Sequence, residues 1–151
     1  ASNQPRQQPR QQPAATGPMT ISLMSSFNRF LVAERSGAAN ANRPKAAAWE
    51  RWQMVDLNGG RLMSGDTVTL YSAHKKFLVA ERNGETNANR QKAAAWEKWR
   101  IYKDGGGLIR NGDYVYLLGH HGTYLNANQQ GAARSILRNR NSRSRWRINI
   151  R

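Results

Sequence analysis

Apolar and polar side chains alternate with period two in short runs along most of this chain. Thr67-Val68-Thr69-Leu70-Tyr71, Tyr114-Val115-Tyr116-Leu117, Trp99-Arg100-Ile101-Tyr102 and Trp146-Arg147-Ile148-Asn149-Ile150 each put every second residue on one face, as half-buried strands do. β-branched and aromatic residues dominate the first two, which suits a pleated surface covered on one side. Phe77-Leu78-Val79-Ala80 is a short apolar run bounded by Lys75-Lys76 and Asn83-Gly84, and it too predicts a strand. Gly65-Asp66 and Gly112-Asp113 stand before two of these runs as turn signals. Asn58-Gly59-Gly60 and Gly105-Gly106-Gly107 follow the strands that carry tryptophan and supply backbone freedom for turns. The only helix-like piece is 92–97 with its counterpart at 45–50, too short to hold a helix on propensity alone. It predicts one tight turn leading into the last strand of a unit.

The same pattern returns. Residues 30–52, FLVAERSGAANANRPKAAAWERW, match 77–99, FLVAERNGETNANRQKAAAWEKW, at an offset of 47 with no gap. A third, worn copy follows at the same offset: Leu70 goes to Leu117, His74 to His121, Phe77 to Tyr124, Leu78 to Leu125, Ala80 to Ala127 and Trp99 to Trp146. The copies occupy residues 20–66, 67–113 and 114–151, with about four short strands expected in each. A repeated unit of this kind buries its apolar face against its neighbours. A propeller would need at least four blades, and paired helices conflict with the period-two runs. The fold class is therefore all-β, in one domain over residues 19–151.

GDxVxL before the first strand, FLVAE or TYLNA as the second, ANR, and then AWExW together resemble the fascin-like family, whose fold hisactophilin-type proteins share. The resemblance covers residues 19–151 and implies a β-trefoil of three four-stranded units with pseudo-threefold symmetry. The ANR…AWExW string is similar to the version in secreted bacterial fascin-like domains, which implies a secreted, extracellular protein. The eukaryotic fascins would imply actin bundling. The third copy departs from the pattern, since Asn141-Ser142-Arg143-Ser144-Arg145-Trp146 keeps only the last tryptophan.

Charge changes the picture next. The formal net charge is +15, and all nine carboxylates lie at or before Asp113. From Tyr114 onward there are only arginines: Arg134, Arg138, Arg140, Arg143, Arg145, Arg147 and Arg151. Such an unneutralised field attracts polyanions in a salt-dependent way. The first six of these arginines are the anion-binding candidates, with acidic polysaccharide or another polyanion as partner. Base-stacking readout needs exposed aromatics between the basic residues, and Trp146 falls at a core position, so nucleic acid is expected only as a non-specific partner. No run approaches the ~18 apolar residues of a membrane span. There is no cysteine, which excludes disulfide and thiol chemistry.

Residues 1–18 are rich in Pro, Gln and Arg, and nearly free of apolar side chains, a composition that predicts a flexible or polyproline-like tail. Self-association through this tail, building a filament or matrix from identical subunits, is the rival to a ligand-binding role.

Copies one and two also share a polar set: Glu34/Glu81, Asn40/Asn87, Asn42/Asn89, Arg43/Arg90, Lys45/Lys92, Trp49/Trp96 and Glu50/Glu97. In copy three the last arginine and glutamate become Leu137 and Ser144 together. Their joint loss predicts structural pairs, Arg43 with Glu50 and Arg90 with Glu97, spanning the tight turn. Glu97 shares strand parity with Trp99 and so points inward, where it needs a partner. Trp49 and Trp96 have the opposite parity. With Asn42 and Asn89 they are the glycan-binding candidates, because sugar clefts combine aromatic faces with amides, and two equal pockets would give avidity on a polymer. Catalysis, metal ions and cofactors find no support. Arginine beside each repeated glutamate lowers its proton affinity, the wrong direction for a general acid. His74, His120 and His121 fall in turns with no third ligand marked. The sequence thus predicts a non-enzymatic basic module that binds or cross-links an acidic polymer, glycan or cell surface.

Overall fold

The computed structural model describes residues 18–151, so the expectation for the tail lies outside the described residues, Pro18 excepted. Twelve strands follow one another: β1 (Met19–Ser25), β2 (Phe30–Ala33), β3 (Ala39–Arg43), β4 (Trp52–Asp56), β5 (Thr67–Tyr71), β6 (Phe77–Ala80), β7 (Thr86–Arg90), β8 (Trp99–Tyr102), β9 (Tyr114–Leu118), β10 (Tyr124–Ala127), β11 (Ala133–Leu137) and β12 (Trp146–Ile150). Single 3-10 turns at Ala48–Glu50, Ala95–Glu97 and Ser142–Ser144 lead into β4, β8 and β12.

Six strands close an antiparallel barrel in the order β1, β4, β5, β8, β9, β12 and back to β1. The remaining six form the hairpins β2–β3, β6–β7 and β10–β11. Each hairpin is tied to the barrel by one pairing: Met24 with Phe30, Tyr71 with Phe77, Leu118 with Tyr124. A register shift falls at the start of every hairpin, where an extra residue bends and twists the strand.

The barrel interior holds Trp52, Trp99 and Trp146, all fully buried. Each indole N–H donates to a carbonyl 21 residues earlier, that of Leu31, Leu78 or Leu125, at 3.2, 3.2 and 3.0 Å. A buried indole needs that acceptor, and the bond fastens each hairpin to the barrel floor. Leu23, Leu70 and Leu117 fill the same core. Phe30, Phe77 and Tyr124 are half-buried at the hairpin bases.

The hairpins also clasp one another. Ala41 N–H donates to Gly131 O, Ala88 N–H to Gly37 O, and Ser135 N–H to Gly84 O, at 2.8, 2.8 and 2.9 Å. Gly37, Gly84 and Gly131 have φ of +99°, +93° and +88°, and a Cβ on them would stand 2.9 Å from Asn89 Cβ, 2.5 Å from Ile136 Cγ2 and 2.6 Å from Asn42 Cβ. Only glycine meets both demands. No helix among the described residues is long and apolar enough to cross a membrane.

Candidate functional site

In copies one and two the shared polar residues build one network around the 3-10 turn. Glu34 accepts from Arg43 Nη2 at 2.7 Å and from Asn40 Nδ2 at 3.0 Å. Glu81 accepts from Arg90 and Asn87 at the same two distances. The inward glutamates, Glu50 and Glu97, are 4% exposed. Each accepts from the main-chain N–H three residues before it, Ala47 at 2.7 Å and Ala94 at 2.6 Å. Their other oxygens lie 3.9 Å from Arg43 Nε and Arg90 Nε. The arginine therefore bridges two carboxylates, and its short bond goes to Glu34 or Glu81 rather than to the turn glutamate. In copy three every member of the network changes at once. Asn128, Arg134, Leu137 and Ser144 stand where Glu81, Asn87, Arg90 and Glu97 stand in copy two. Ser144 Oγ takes over the cap, accepting from Asn141 N–H at 3.0 Å and donating back to Asn141 O at 3.1 Å. A neutral hydroxyl needs no arginine, which accounts for the joint loss.

The glycan candidates are less free than their parity suggests. Asn42 Oδ1 and Asn89 Oδ1 each accept from the next arginine at 2.6 Å, and their Cβ atoms abut turn glycines of neighbouring hairpins. Asn89 and Trp96 do line one open depression, together with Arg90 and Lys92. Trp49 and Trp96 are half-buried. His74 meets Trp49 edge-on with ring centroids 4.6 Å apart, and its Nε2 lies 3.1 Å from Ala33 O. His121 repeats this on Trp96 and Ala80 O, at 4.6 and 3.0 Å. A carbonyl can only accept, so Nε2 carries the proton in both. Arg35 and Arg82 lie over the two indoles at 5.9 Å. The turn histidines are thus wedges between successive copies, a role that their shared offset of 47 could have signalled.

Of the anion candidates, Arg138, Arg143, Arg145 and Arg147 are exposed, and among the described residues none has a carboxylate within 4 Å. Arg145 lies over the exposed Tyr114 ring at 5.3 Å. Arg134 is half-buried, and its Nε reaches Gly84 O at 3.4 Å. Arg140 differs from the rest. Its guanidinium sits 4.9, 5.1 and 5.8 Å from the ring centres of Tyr102, Tyr116 and Tyr124, within 3.4 Å of Asp104. Burial works against its charge, but Tyr124 and Asp104 outweigh that and raise its pKa. Burial, then the Asp104 charge, push the Tyr116 phenol up as well. This tyrosine cage forms only where the second copy meets the third: the residues 47 before Tyr102 and Tyr116 are Val55 and Thr69.

The joints between copies hold a further group. Lys103 Nζ donates to Asp113 Oδ2 at 3.0 Å and to Leu108 O at 2.7 Å. The Arg110 main-chain N–H holds Asp113 below the usual carboxylate range against its burial, and Lys103 adds to the effect. One copy earlier the positions of Lys103 and Asp113 carry Asp56 and Asp66. Asp56 is 8% exposed, and with both groups ionised its Oδ2 has no donor. Burial, then a hydrogen bond to the Asp66 carboxyl, push Asp56 up to about 6. Among the described residues, no three His, Asp or Glu side chains gather as a metal site.

No protein-family model matches this chain, and no curated protein matches it. Solved structures do. A Caenorhabditis elegans protein of unknown function superposes with a TM-score of 0.77 at 13% identity, over 89% of this chain and 94% of that one. The SDF2-like protein from Arabidopsis thaliana superposes with a TM-score of 0.73 at 14% identity, over the same shares. These likenesses speak to the fold alone. They correct the fascin-like placement: no fascin-like model matches, and neither of these two structures is described as a fascin. The physical reason lies in the motif itself. ANR and AWE are the residues that brace and cap the 3-10 turn, so they report a local construction rather than a lineage.

Proposed function

We propose that this protein is a non-catalytic, basic binding module for an acidic polymer, and that its twelve strands form a β-trefoil of three four-stranded units about a pseudo-threefold axis. The trefoil reading is supported by the closed ring of six strands, the three hairpins, and indole bonds that recur at the same offset. The binding reading is carried by one observation. Arg138, Arg143, Arg145 and Arg147 stand exposed in a stretch without carboxylates. Alternation turns Arg145 and Arg147 outward beside the inward Trp146 and Ile148. Arg51, Lys98 and Arg100 have the matching outward positions in the other copies and are exposed too. A polyanion laid across this surface releases its condensed counterions, so affinity falls steeply with salt.

Binding to heparin-like polymer, measured from low to physiological salt, tests the reading. Arg138→Gln, Arg145→Gln and Arg147→Gln together should weaken binding and flatten the log–log salt slope by roughly one unit for each anionic group no longer neutralised. An unchanged slope would mean that the arginines form a solvated face.

A further inference from the structure

Where the third copy meets the first there is a hollow whose lining lacks the indole–imidazole stack of the other two junctions. In copies one and two, tryptophan, histidine and arginine close the space between successive copies as the stacks Trp49–His74–Arg35 and Trp96–His121–Arg82. The residues at those positions around the third junction are Arg143, Phe27 and Gln129. No indole remains, and a hollow opens there, lined by Ser26, Phe27, Gln129, Gln130, Ser142 and Arg143, with Asn128 at its edge.

The lining is polar. Ser26 stands where the other junctions have Ala73 and His120, and Ser142 puts a hydroxyl where they have the methyl groups of Ala48 and Ala95. Glu81 becomes Asn128, whose Oδ1 accepts from Gln130 N–H at 3.0 Å and Ala132 N–H at 2.9 Å, fixing the loop. The side chains of Ser26, Gln129, Gln130, Ser142 and Arg143 make no hydrogen bond or ion pair with any described residue. Hydroxyls and amides that can both donate and accept surround a half-buried aromatic ring, with one guanidinium beside them.

We propose that this hollow binds an acidic pyranose, a uronate or a sulfated sugar residue. The assignment rests on the polyanion reading above and names the unit of the polymer that is gripped. The Phe27 ring offers an apolar surface to the C–H face of a sugar, the amides and hydroxyls match ring hydroxyls, and Arg143 matches a carboxylate or sulfate with two parallel N–H bonds. Local grip at one residue adds register to a surface that otherwise attracts any polyanion.

The test titrates the full chain with a sulfated heparin disaccharide, an unsulfated glucuronate-containing disaccharide, and neutral cellobiose, read by backbone-amide shifts. The acidic disaccharides should shift Phe27, Gln129, Gln130 and Ser142 selectively, and tighter binding of the sulfated one, which carries a uronate as well, would show that sulfate adds to the grip on carboxylate. Arg143→Gln should weaken that binding at least tenfold. The double variant Phe27→His with Arg143→Trp puts back the indole–imidazole pair of the other junctions and should abolish it. Should the double variant fail to fold, Arg143→Gln at an exposed site still decides. Cellobiose binding as tightly as the acidic sugars, or acidic disaccharides that leave those amides unmoved, would overturn the proposal. If polymer then still binds with its salt slope, the polyanion reading survives alone. Disaccharide shifts with a slope that ignores Arg138, Arg145 and Arg147 would uphold the hollow and overturn the broader surface.

Discussion

The first two copies and the third share a core and differ in almost everything around it. Trp52, Trp99 and Trp146 occupy equal positions and make equal bonds. Outside that core, copies one and two spend their polar residues on each other, in a Glu–Arg–Glu chain and a capped arginine–indole–histidine stack. The third copy replaces the chain by one serine and the stack by an open hollow, and four of its arginines, Arg138, Arg143, Arg145 and Arg147, face solvent. A side chain kept in all three copies, then, holds the barrel together. One kept in two only braces a turn, and its loss from the third frees that surface for other use.

The sharpest way to break this view is through the core. Trp52→Ala, Trp99→Ala and Trp146→Ala should each cost about 3–5 kcal/mol as large-to-small changes in a closed interior, read by urea unfolding. A tryptophan costing under ~1 kcal/mol would show that the three positions are not equivalent.

The joints give a smaller effect with a definite sign. Asp56 has its pKa raised from 3.8 to about 6. Its neutral form is therefore favoured in the folded state, and that stability is fully present below pH ~3.8 and lost as pH rises through about 6. The loss amounts to roughly 2–3 kcal/mol at most. Asp56→Lys copies the Lys103–Asp113 pair and should remove this slope. A wild-type thermal midpoint that keeps rising from pH 4 to 7, with the same slope in the variant, would contradict the paired-carboxyl picture.

The smallest effect concerns the network. Arg90→Leu alone leaves Glu97 buried without its arginine, whereas Glu97→Ser leaves Arg90 its bond to Glu81, and combined they reproduce copy three at these two positions. The double variant should be less destabilised than the sum of the singles by about 0.5–1.5 kcal/mol. Strict additivity would separate Glu97 from Arg90 and leave only the Ala94 cap and the Glu81 bond.

Much of the barrel was legible in sequence because it is written in apolar alternation. The runs at 67–71, 77–80 and 99–102 match β5, β6 and β8 end for end. The third strand of each copy was not. Ala39–Arg43 and Thr86–Arg90 read ANANR and TNANR, and asparagine has low strand propensity. Hairpin pairing and the clasp to a neighbouring glycine hold these residues extended, and no local pattern announces either. Glu81 was visible as a repeated residue, yet its bond to Arg90 spans nine positions across a hairpin, and the joint loss of Arg90 and Glu97 from the third copy pointed to Glu97 instead. The hollow at Phe27 was harder still, because its two walls come from opposite ends of the sequence.

That meeting of opposite ends has a consequence for how the chain is connected. β1 pairs with β12 over five residues, Arg151 N–H donates to Thr20 O at 2.9 Å, and the clasp from Ala41 to Gly131 joins the first hairpin to the last. The described chain therefore closes on itself, and its termini mark no seam in the hydrogen-bonded structure. A circularly permuted gene that linked residue 151 to residue 18 and opened at Gly105-Gly106-Gly107, between β8 and β9, would sever no strand pair. The order in which the ribosome delivers the three copies is thus incidental to the object they build.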